Sequence, residues 1–187
     1  MYYTWAVHNP WKTVKRNYIY ENKYGYKLRN DDVITPAGKQ GKYMVLESPG
    51  YVSTVPISTS GRVIMVRQWR YPVEKEFLEI PAETMNSGED PLKAAQRGLK
   101  EEIGGESSKW HNLGSHWLGN GAMKIQGHIF LALDVTIGKS NQEEIERIKT
   151  ELFNFENIYE MVINNKIDDY RTKLGILLAK DFLEKNR

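Results

Sequence analysis

The stretch that decides the fold is EIPAETMNSGEDPLKAAQRGLKEEIGG, which runs from Glu79 to Gly105. Its pattern indicates the end of a strand, a polar loop and then a helix. Asp90 is a good N-cap, and Pro91 suits the first helical position because an amide hydrogen there would have no intrahelical partner. The consecutive glycines at 104 and 105 suit the end of a helix. The sequence therefore predicts a capped helix between Asp90 and Gly104.

One face of this predicted helix is apolar. Four residues recur at helical spacing and form a single stripe, namely Leu92, Ala95, Leu99 and Ile103. A stripe of this width normally faces the interior of a globular protein. We therefore expect the helix to pack on a sheet.

A neighbouring flank of the helix carries charge. Gly98, Glu101 and Glu102 are related by i, i+3 and i+4 spacing and so share that flank. Adjacent carboxylates on a rigid helix suit a hard divalent cation such as Mg²⁺, which prefers oxygen ligands. Taken alone, however, Glu101 and Glu102 fit a solvated helix face better.

The segments around this stretch alternate between strand and helix patterns. Residues 13–47 form three segments rich in β-branched and aromatic residues, separated by turn sequences, and residues 48–51 are a plausible boundary. Further strand patterns lie at 52–82 and 110–137, and two helix patterns at 155–167 and 168–186. The sequence predicts a small antiparallel β extension over residues 1–48, followed by a mixed α/β domain over residues 49–187.

Composition narrows the classes of function. The chain has 187 residues, 40% of them hydrophobic, and a formal net charge of only +2, which gives no support to nucleic-acid binding. It contains no cysteine, which excludes disulfides and thiolate zinc sites and fits a cytoplasmic protein. No apolar segment reaches the length of a membrane span, so we expect no membrane partner.

The decisive stretch resembles the Nudix box. That family pattern is a glycine, five residues, a glutamate, seven residues, and then arginine, glutamate, an aliphatic residue, any residue, two glutamates, any residue, glycine and an aliphatic residue. The matching positions are Glu89, Arg97, Leu99, Glu101, Glu102 and Gly104. The chain departs from the pattern at Glu83, at Gly98 and at Gly105.

The resemblance implies a fold, an activity and an oligomeric state. The fold is the Nudix α/β/α sandwich with a mixed sheet. The N-terminal strands look like the dimerising extension of the branch that hydrolyses ADP-ribose and nucleoside-diphosphate sugars. The implied reaction is metal-dependent hydrolysis of a nucleoside diphosphate linked to another moiety, with Mg²⁺ or Mn²⁺ as cofactor. The resemblance thus implies a homodimer that acts on a small molecule.

The resemblance also assigns roles to residues of the box. Glu101 and Glu102 would bind the metal, with the backbone carbonyl of Ala82 as a third ligand. Glu89 and Arg97 would form an ion pair that holds the loop against the helix.

Two further groups of residues complete the expected site. Glu143, Glu144 and Glu146 lie where this branch often places a loop glutamate that binds metal or acts as base, so that Glu144 and Glu146 join Glu101 and Glu102 as candidate catalytic residues. A solvated acidic run is an equally good interpretation. Three residues near the box, Arg67, Arg70 and Glu79, are candidates for substrate binding, since arginine suits bidentate phosphate contacts. Charges at the surface ends of strands are the alternative.

The departures at Glu83 and Gly98 leave two interpretations open. Glycine inside a helix costs about 1 kcal/mol relative to alanine. Gly98 either permits close packing against a neighbour or marks a metal-binding position that has been lost. The second interpretation predicts that Gly98→Glu raises both stability and activity. It also supports an alternative function, a Nudix-fold nucleotide-binding protein with weak or no hydrolase activity.

Overall fold

The computed structural model describes residues 9–138 and 148–186. The strands of this part of the chain are β1 (Lys12–Lys15), β2 (Tyr18–Glu21), β3 (Lys27–Ile34), β4 (Gln40–Glu47), β5 (Tyr51–Ser58), β6 (Arg62–Arg70), β7 (Lys75–Glu79), β8 (Ala82–Thr84), β9 (Gly105–Glu106), β10 (Lys109–Leu118), β11 (Met123–Ile137) and β12 (Lys149–Asn154). The α-helices are α1 (Pro91–Ile103), α2 (Phe155–Ile163) and α3 (Tyr170–Lys185), and a short 3₁₀ helix spans Tyr71–Val73. The mixed α/β fold expected from the sequence is confirmed.

The chain divides into two compact units. One comprises residues 1–49 and 117–125, and the other comprises residues 50–116 and 126–187. The sequence pattern did not associate residues 117–125 with the N-terminal strands. They join the first unit because the start of β11 pairs in parallel with the end of β4, Met123 lying beside Leu46.

The first unit is built on the antiparallel hairpin of β3 and β4. Its register runs from Lys27 opposite Glu47 to Ile34 opposite Gln40. Both β1 and β2 pair antiparallel with β3. The sequence predicted one strand where β1 and β2 lie. The interruption falls near Asn17, whose backbone carbonyl accepts the amide hydrogen of Asn30 and whose side-chain amide donates to the carbonyl of Asn30.

The second unit contains a mixed sheet. Strand β11 runs parallel to β5, from Gly127 opposite Tyr51 to Val135 opposite Ser58. Strands β6 and β8 pair antiparallel with β5, and β7 and β12 pair antiparallel with β6. Every residue of β5 is buried, including the polar residues Ser53, Thr54 and Ser58.

Helices cover both faces of this sheet. Successive side chains of a strand point to opposite faces. On β6, Val63 and Met65 pack in a core cluster that includes Ile158 of α2 and Ile176 of α3. The alternate residues of the same strand pack with Leu99 and Ile103 of α1. The unit is therefore an α/β/α sandwich, as the resemblance implied.

The helices begin and end as local sequence dictates. Asn154 and Asp169 cap α2 and α3 through side-chain oxygens that accept backbone amide hydrogens. Within residues 9–138 and 148–186, no helix has both the length and the apolar character needed to cross a membrane.

Candidate active site

The junction between β8 and α1 is fixed by caps at both ends of the helix. The carboxylate of Asp90 accepts the amide hydrogen of Lys93 at 3.1 Å, and Pro91 occupies the first helical position. At the other end Gly104 adopts the left-handed conformation with φ 63°, which glycine accommodates without strain. The predicted bounds of this helix are confirmed.

Burial of α1 follows its apolar stripe with two additions. Ala95, Leu99 and Ile103 are buried as expected, whereas Leu92 is only half-buried. Gly98 and Glu102 are also buried. The interpretation of Glu101 and Glu102 as a solvated helix face therefore fits Glu101, which is exposed, but not Glu102.

Arg97 is the hub of the junction. Its guanidinium donates to both carboxylate oxygens of Glu89, each at 3.0 Å, and to the carbonyl of Thr84 at 2.9 Å. One terminal nitrogen, Nη1, lies 3.1 Å from a carboxylate oxygen of Glu101 and 3.6 Å from one of Glu83. The helix is thus tied to strand and loop by a single cation shared among three carboxylates.

The pair Glu89 and Arg97, expected to hold the loop against the helix, has the geometry for that task. Glu89 also accepts the amide hydrogen of Asn86 at 2.8 Å, which closes the loop. The hydrogen bonds that Arg97 donates to Glu89 hold the pKa of Glu89 below its ordinary value of 4.5. The same bonds raise the pKa of Arg97. Both groups therefore remain charged at neutral pH.

Glu102 is anchored to the loop strand β8, which leads into the loop before α1. Its carboxylate accepts the amide hydrogen of Ala82 at 3.1 Å. This contact brings together two members of the expected metal set, and Glu101 adjoins them in sequence. Over residues 9–138 and 148–186, His, Asp and Glu side chains form no group of three already placed to hold a metal ion. A cation would therefore have to draw the carboxylates together.

Gly98 lies directly against Glu83. A Cβ atom added to Gly98 would lie 2.4 Å from the Cβ of Glu83 and 3.0 Å from its Cγ, closer than side chains can approach. Of the two interpretations of this glycine, close packing against a neighbour is the one that the structure supports. Gly98→Glu is therefore expected to destabilise the helix and not to stabilise it, because the added side chain has no room while Glu83 is present.

Glu79 is the centre of a second polar cluster. It is 1% exposed, so it is not the surface charge that a strand end would allow. Its carboxylate accepts hydrogen bonds from Arg70 at 3.0 Å, from Arg171 at 2.9 Å and from Gln68 at 3.3 Å. Arg171 in turn donates to Asp169 at 3.0 Å. Two of the expected substrate-binding residues, Arg70 and Glu79, are thus in direct contact.

Arg67 lies apart from that cluster. It donates to both carboxylate oxygens of Glu151, at 2.7 and 3.2 Å, and lies 3.6 Å from an oxygen of Glu76. The hydrogen bonds raise the pKa of Arg67 and lower that of Glu151. The remaining candidates, Glu143, Glu144 and Glu146, lie outside the described residues.

Sequence reasoning missed several residues near Glu79. Arg171 and Asp169 come from the start of α3, far along the chain from β7. A hydroxyl–imidazole group was missed as well, in which the hydroxyl of Tyr51 shares hydrogen bonds with the ring of His116 and the hydroxyl of Tyr170. Burial lowers the pKa of His116, which favours its neutral form. The acidic N-cap before α3 was the only local signal.

The second unit is thus an α/β/α sandwich in which a capped helix presents carboxylates beside a loop. The family model of the NUDIX domain matches residues 48–172. Since the match covers more than half of the sequence, the chain belongs to the NUDIX domain family. The family that the sequence of the box indicated is thus confirmed.

The chain is also similar to individual proteins and to a solved structure. An ADP-ribose pyrophosphatase of Bacillus subtilis (strain 168) is 29% identical over 167 residues, covering 88% of this chain and 90% of that protein. A methanol dehydrogenase activator of Bacillus methanolicus is 29% identical over 170 residues with the same coverage. A crystal structure of an ADP compounds hydrolase shares the fold with a TM-score of 0.81, at 17% identity, covering 94% of this chain and 95% of that one.

Proposed function

We propose that the chain is a hydrolase that cleaves a nucleoside diphosphate linked to another moiety, with ADP-ribose as the first substrate to test. The observation that carries this proposal is the junction at Arg97, where carboxylates from α1 and β8 converge on one cationic nitrogen. Membership in the NUDIX family and similarity to an ADP-ribose pyrophosphatase support the same reaction.

The junction suits a divalent cation, which we propose is Mg²⁺ or Mn²⁺. The candidate ligands are oxygen atoms only, the carboxylates of Glu101 and Glu102 and the carbonyl of Ala82, and hard cations prefer such ligands. One guanidinium cannot neutralise the carboxylates that surround it. A bound cation would supply charge neutralisation at phosphoryl oxygens and a lower pKa for the attacking water.

The protein's own side chains would orient the reactants. Arg97 holds the loop so that Glu101 and Glu102 keep their places. Glu79 is too deeply buried to meet a substrate, and it would instead fix the guanidinium groups of Arg70 and Arg171. A guanidinium group that is already fixed can donate two hydrogen bonds to two phosphate oxygens at a low cost in side-chain entropy. We keep Arg67 as a further candidate for phosphate binding, oriented by Glu151.

The proposed general base is a glutamate of the acidic segment that follows β11 in the sequence. Glu144 and Glu146 remain the proposed candidates because they are carboxylates that follow β11. A base of this kind would take a proton from the attacking water.

The proposal extends to assembly and compartment. The first unit exposes large apolar side chains, including Val14, Tyr18, Ile19, Tyr20, Met44 and Trp117. Exposed apolar patches of this kind often mark protein interfaces. We propose that this surface contributes to a homodimer. A cytoplasmic location is proposed from the absence of cysteine.

A substrate screen tests the proposed function. ADP-ribose, nucleotide sugars and dinucleoside diphosphates are incubated with the protein and Mg²⁺ or Mn²⁺, and nucleoside monophosphate is measured. We expect cleavage of at least one compound, abolished by a chelator and largely lost in Glu102→Gln. Tight nucleotide binding without turnover on any compound would support the nucleotide-binding alternative instead.

A further inference from the structure

Two of the three departures from the box, those at Glu83 and Gly98, are reciprocal. The pattern places a glycine in the loop strand and a glutamate on the helix, and this chain has Glu83 and Gly98 at those two positions. The structure puts the exchanged residues in contact, because the side chain of Glu83 occupies the space in which a side chain at position 98 would begin. The exchange therefore conserves one carboxylate and one small residue at a single place.

We propose that Glu83 supplies to the metal site the carboxylate that Gly98 lacks, so that the third acidic ligand comes from β8 and not from α1. This inference rests on the proposed function. The box pattern gives no reason to expect a ligand at Glu83, because it has a glycine at that position.

The surroundings of Glu83 place its carboxylate with those of the helix. It reaches within 3.6 Å of Nη1 of Arg97, the same nitrogen that contacts Glu101 at 3.1 Å. Its chain neighbour Ala82 donates its amide hydrogen to Glu102. Two of the three glutamates thus face one cationic atom, and the third is bound to the residue that precedes Glu83 in the same strand.

The excess of negative charge around Arg97 favours the binding of a cation. Glu83, Glu89 and Glu101 all form ion pairs with Arg97, so carboxylates outnumber the guanidinium. Like charges held close together in a partly buried place repel one another, and a divalent cation removes this repulsion. The same packing explains why residue 98 is a glycine, since the side chain of Glu83 leaves no space there for a Cβ atom.

The first test measures metal binding without turnover. Mn²⁺ and Mg²⁺ affinity is measured by calorimetry for the wild type, Glu83→Gln and Glu106→Gln. Glutamine keeps the shape of Glu83 and removes its charge, and we expect the affinity to fall by on the order of tenfold. Glu106 is an exposed carboxylate near the end of the same helix, paired with Lys100, and its variant controls for the loss of one negative charge. We expect that control to bind metal as the wild type does.

The second test reverses the exchange. Glu83→Gly should weaken metal binding, and Gly98→Glu should lower the melting temperature measured without metal. The double variant should regain both properties, because the new glutamate then lies over a glycine. Should the double variant fail to fold, Glu83→Gln still decides the question.

The outcomes separate this inference from the proposed function. Wild-type affinity in Glu83→Gln, together with lost affinity in Glu102→Gln, would overturn the role of Glu83 and leave the hydrolase intact. A wild-type protein that binds no divalent cation and cleaves no nucleoside diphosphate compound would overturn both.

Discussion

Gly98 shows how a residue that is unfavourable in its own element can be favourable in the fold. Glycine in a helix interior costs about 1 kcal/mol relative to alanine. Placing a side chain in a filled space costs about 1–3 kcal/mol. The second cost exceeds the first here, since an added Cβ atom would collide with the Cβ of Glu83.

A conservative substitution tests this balance. We expect Gly98→Ala to lower the melting temperature, although alanine is the best helix former. In a Glu83→Gly background the same substitution should raise the melting temperature, because the space above residue 98 is then empty. Thermal melts of the four proteins without metal make the comparison. Stabilisation by Gly98→Ala in the wild-type background would show that the close contact imposes no cost.

The ion pair of Glu89 and Arg97 should make the free energy of unfolding depend on pH in the acidic range. The hydrogen bonds from Arg97 depress the pKa of folded Glu89 below 4.5, so the stability it contributes is fully present above that value and is lost as pH falls through the folded pKa. Glu89→Gln should therefore lower the free energy of unfolding by about 2 kcal/mol at neutral pH. This deficit should shrink as the pH falls below about 4.5, since the wild type then loses the same interaction.

Urea unfolding at several pH values gives the measurement. The exposed Glu160 of α2 provides a control, and Glu160→Gln should cost little at neutral pH. A deficit for Glu89→Gln that is equally large in acid would mean that the ionised pair is not what stabilises the loop.

At the scale of elements, the caps of α1 and α3 differ in what they contact. Among the hydrogen bonds of the described residues, the side-chain carboxylate of Asp90 accepts only the amide hydrogen of Lys93. Asp169 is buried and accepts the amide and hydroxyl hydrogens of Thr172 as well as a bond from Arg171. Loss of the second cap therefore disturbs a buried network as well as a helix end.

This difference predicts unequal costs. Asp90→Ala should lower the free energy of unfolding by about 1 kcal/mol, the ordinary cost of an N-cap. Asp169→Ala should cost more, because buried donors lose their acceptor, each at about 1–3 kcal/mol. Denaturant unfolding of both variants compares them directly. Equal costs would contradict the buried network at the start of α3.

The elements also show what the sequence could predict. The bounds of α1 followed from Asp90, Pro91 and Gly104, because caps are local. The contact between Glu79 and Arg171 could not be predicted, since it joins residues far apart in sequence through the packing of α3 on the sheet. The contact of Glu83 with Gly98 likewise depends on how strand and helix pack. The spacing of the box predicted which residues would matter but not which of them touch.

At the scale of the whole molecule, the exposed apolar side chains of the first unit predict self-association. Light scattering at micromolar concentration should give the mass of a dimer. Tyr20→Lys and Met44→Lys place charge on that surface and should shift the protein toward monomer, whereas a lysine at the exposed Leu177 of α3 should not. A clean monomer for the wild type would contradict the proposed homodimer.

The most direct test of the account is the rate of ADP-ribose cleavage as a function of Mg²⁺ concentration, for the wild type and Glu102→Gln. The account predicts that AMP forms only when the divalent cation is present, with a rate that saturates as its concentration rises. It also predicts that Glu102→Gln needs far more Mg²⁺ or shows no activity. Cleavage that persists with a chelator, or an identical Mg²⁺ dependence in the variant, would contradict a metal-dependent hydrolase built on this helix.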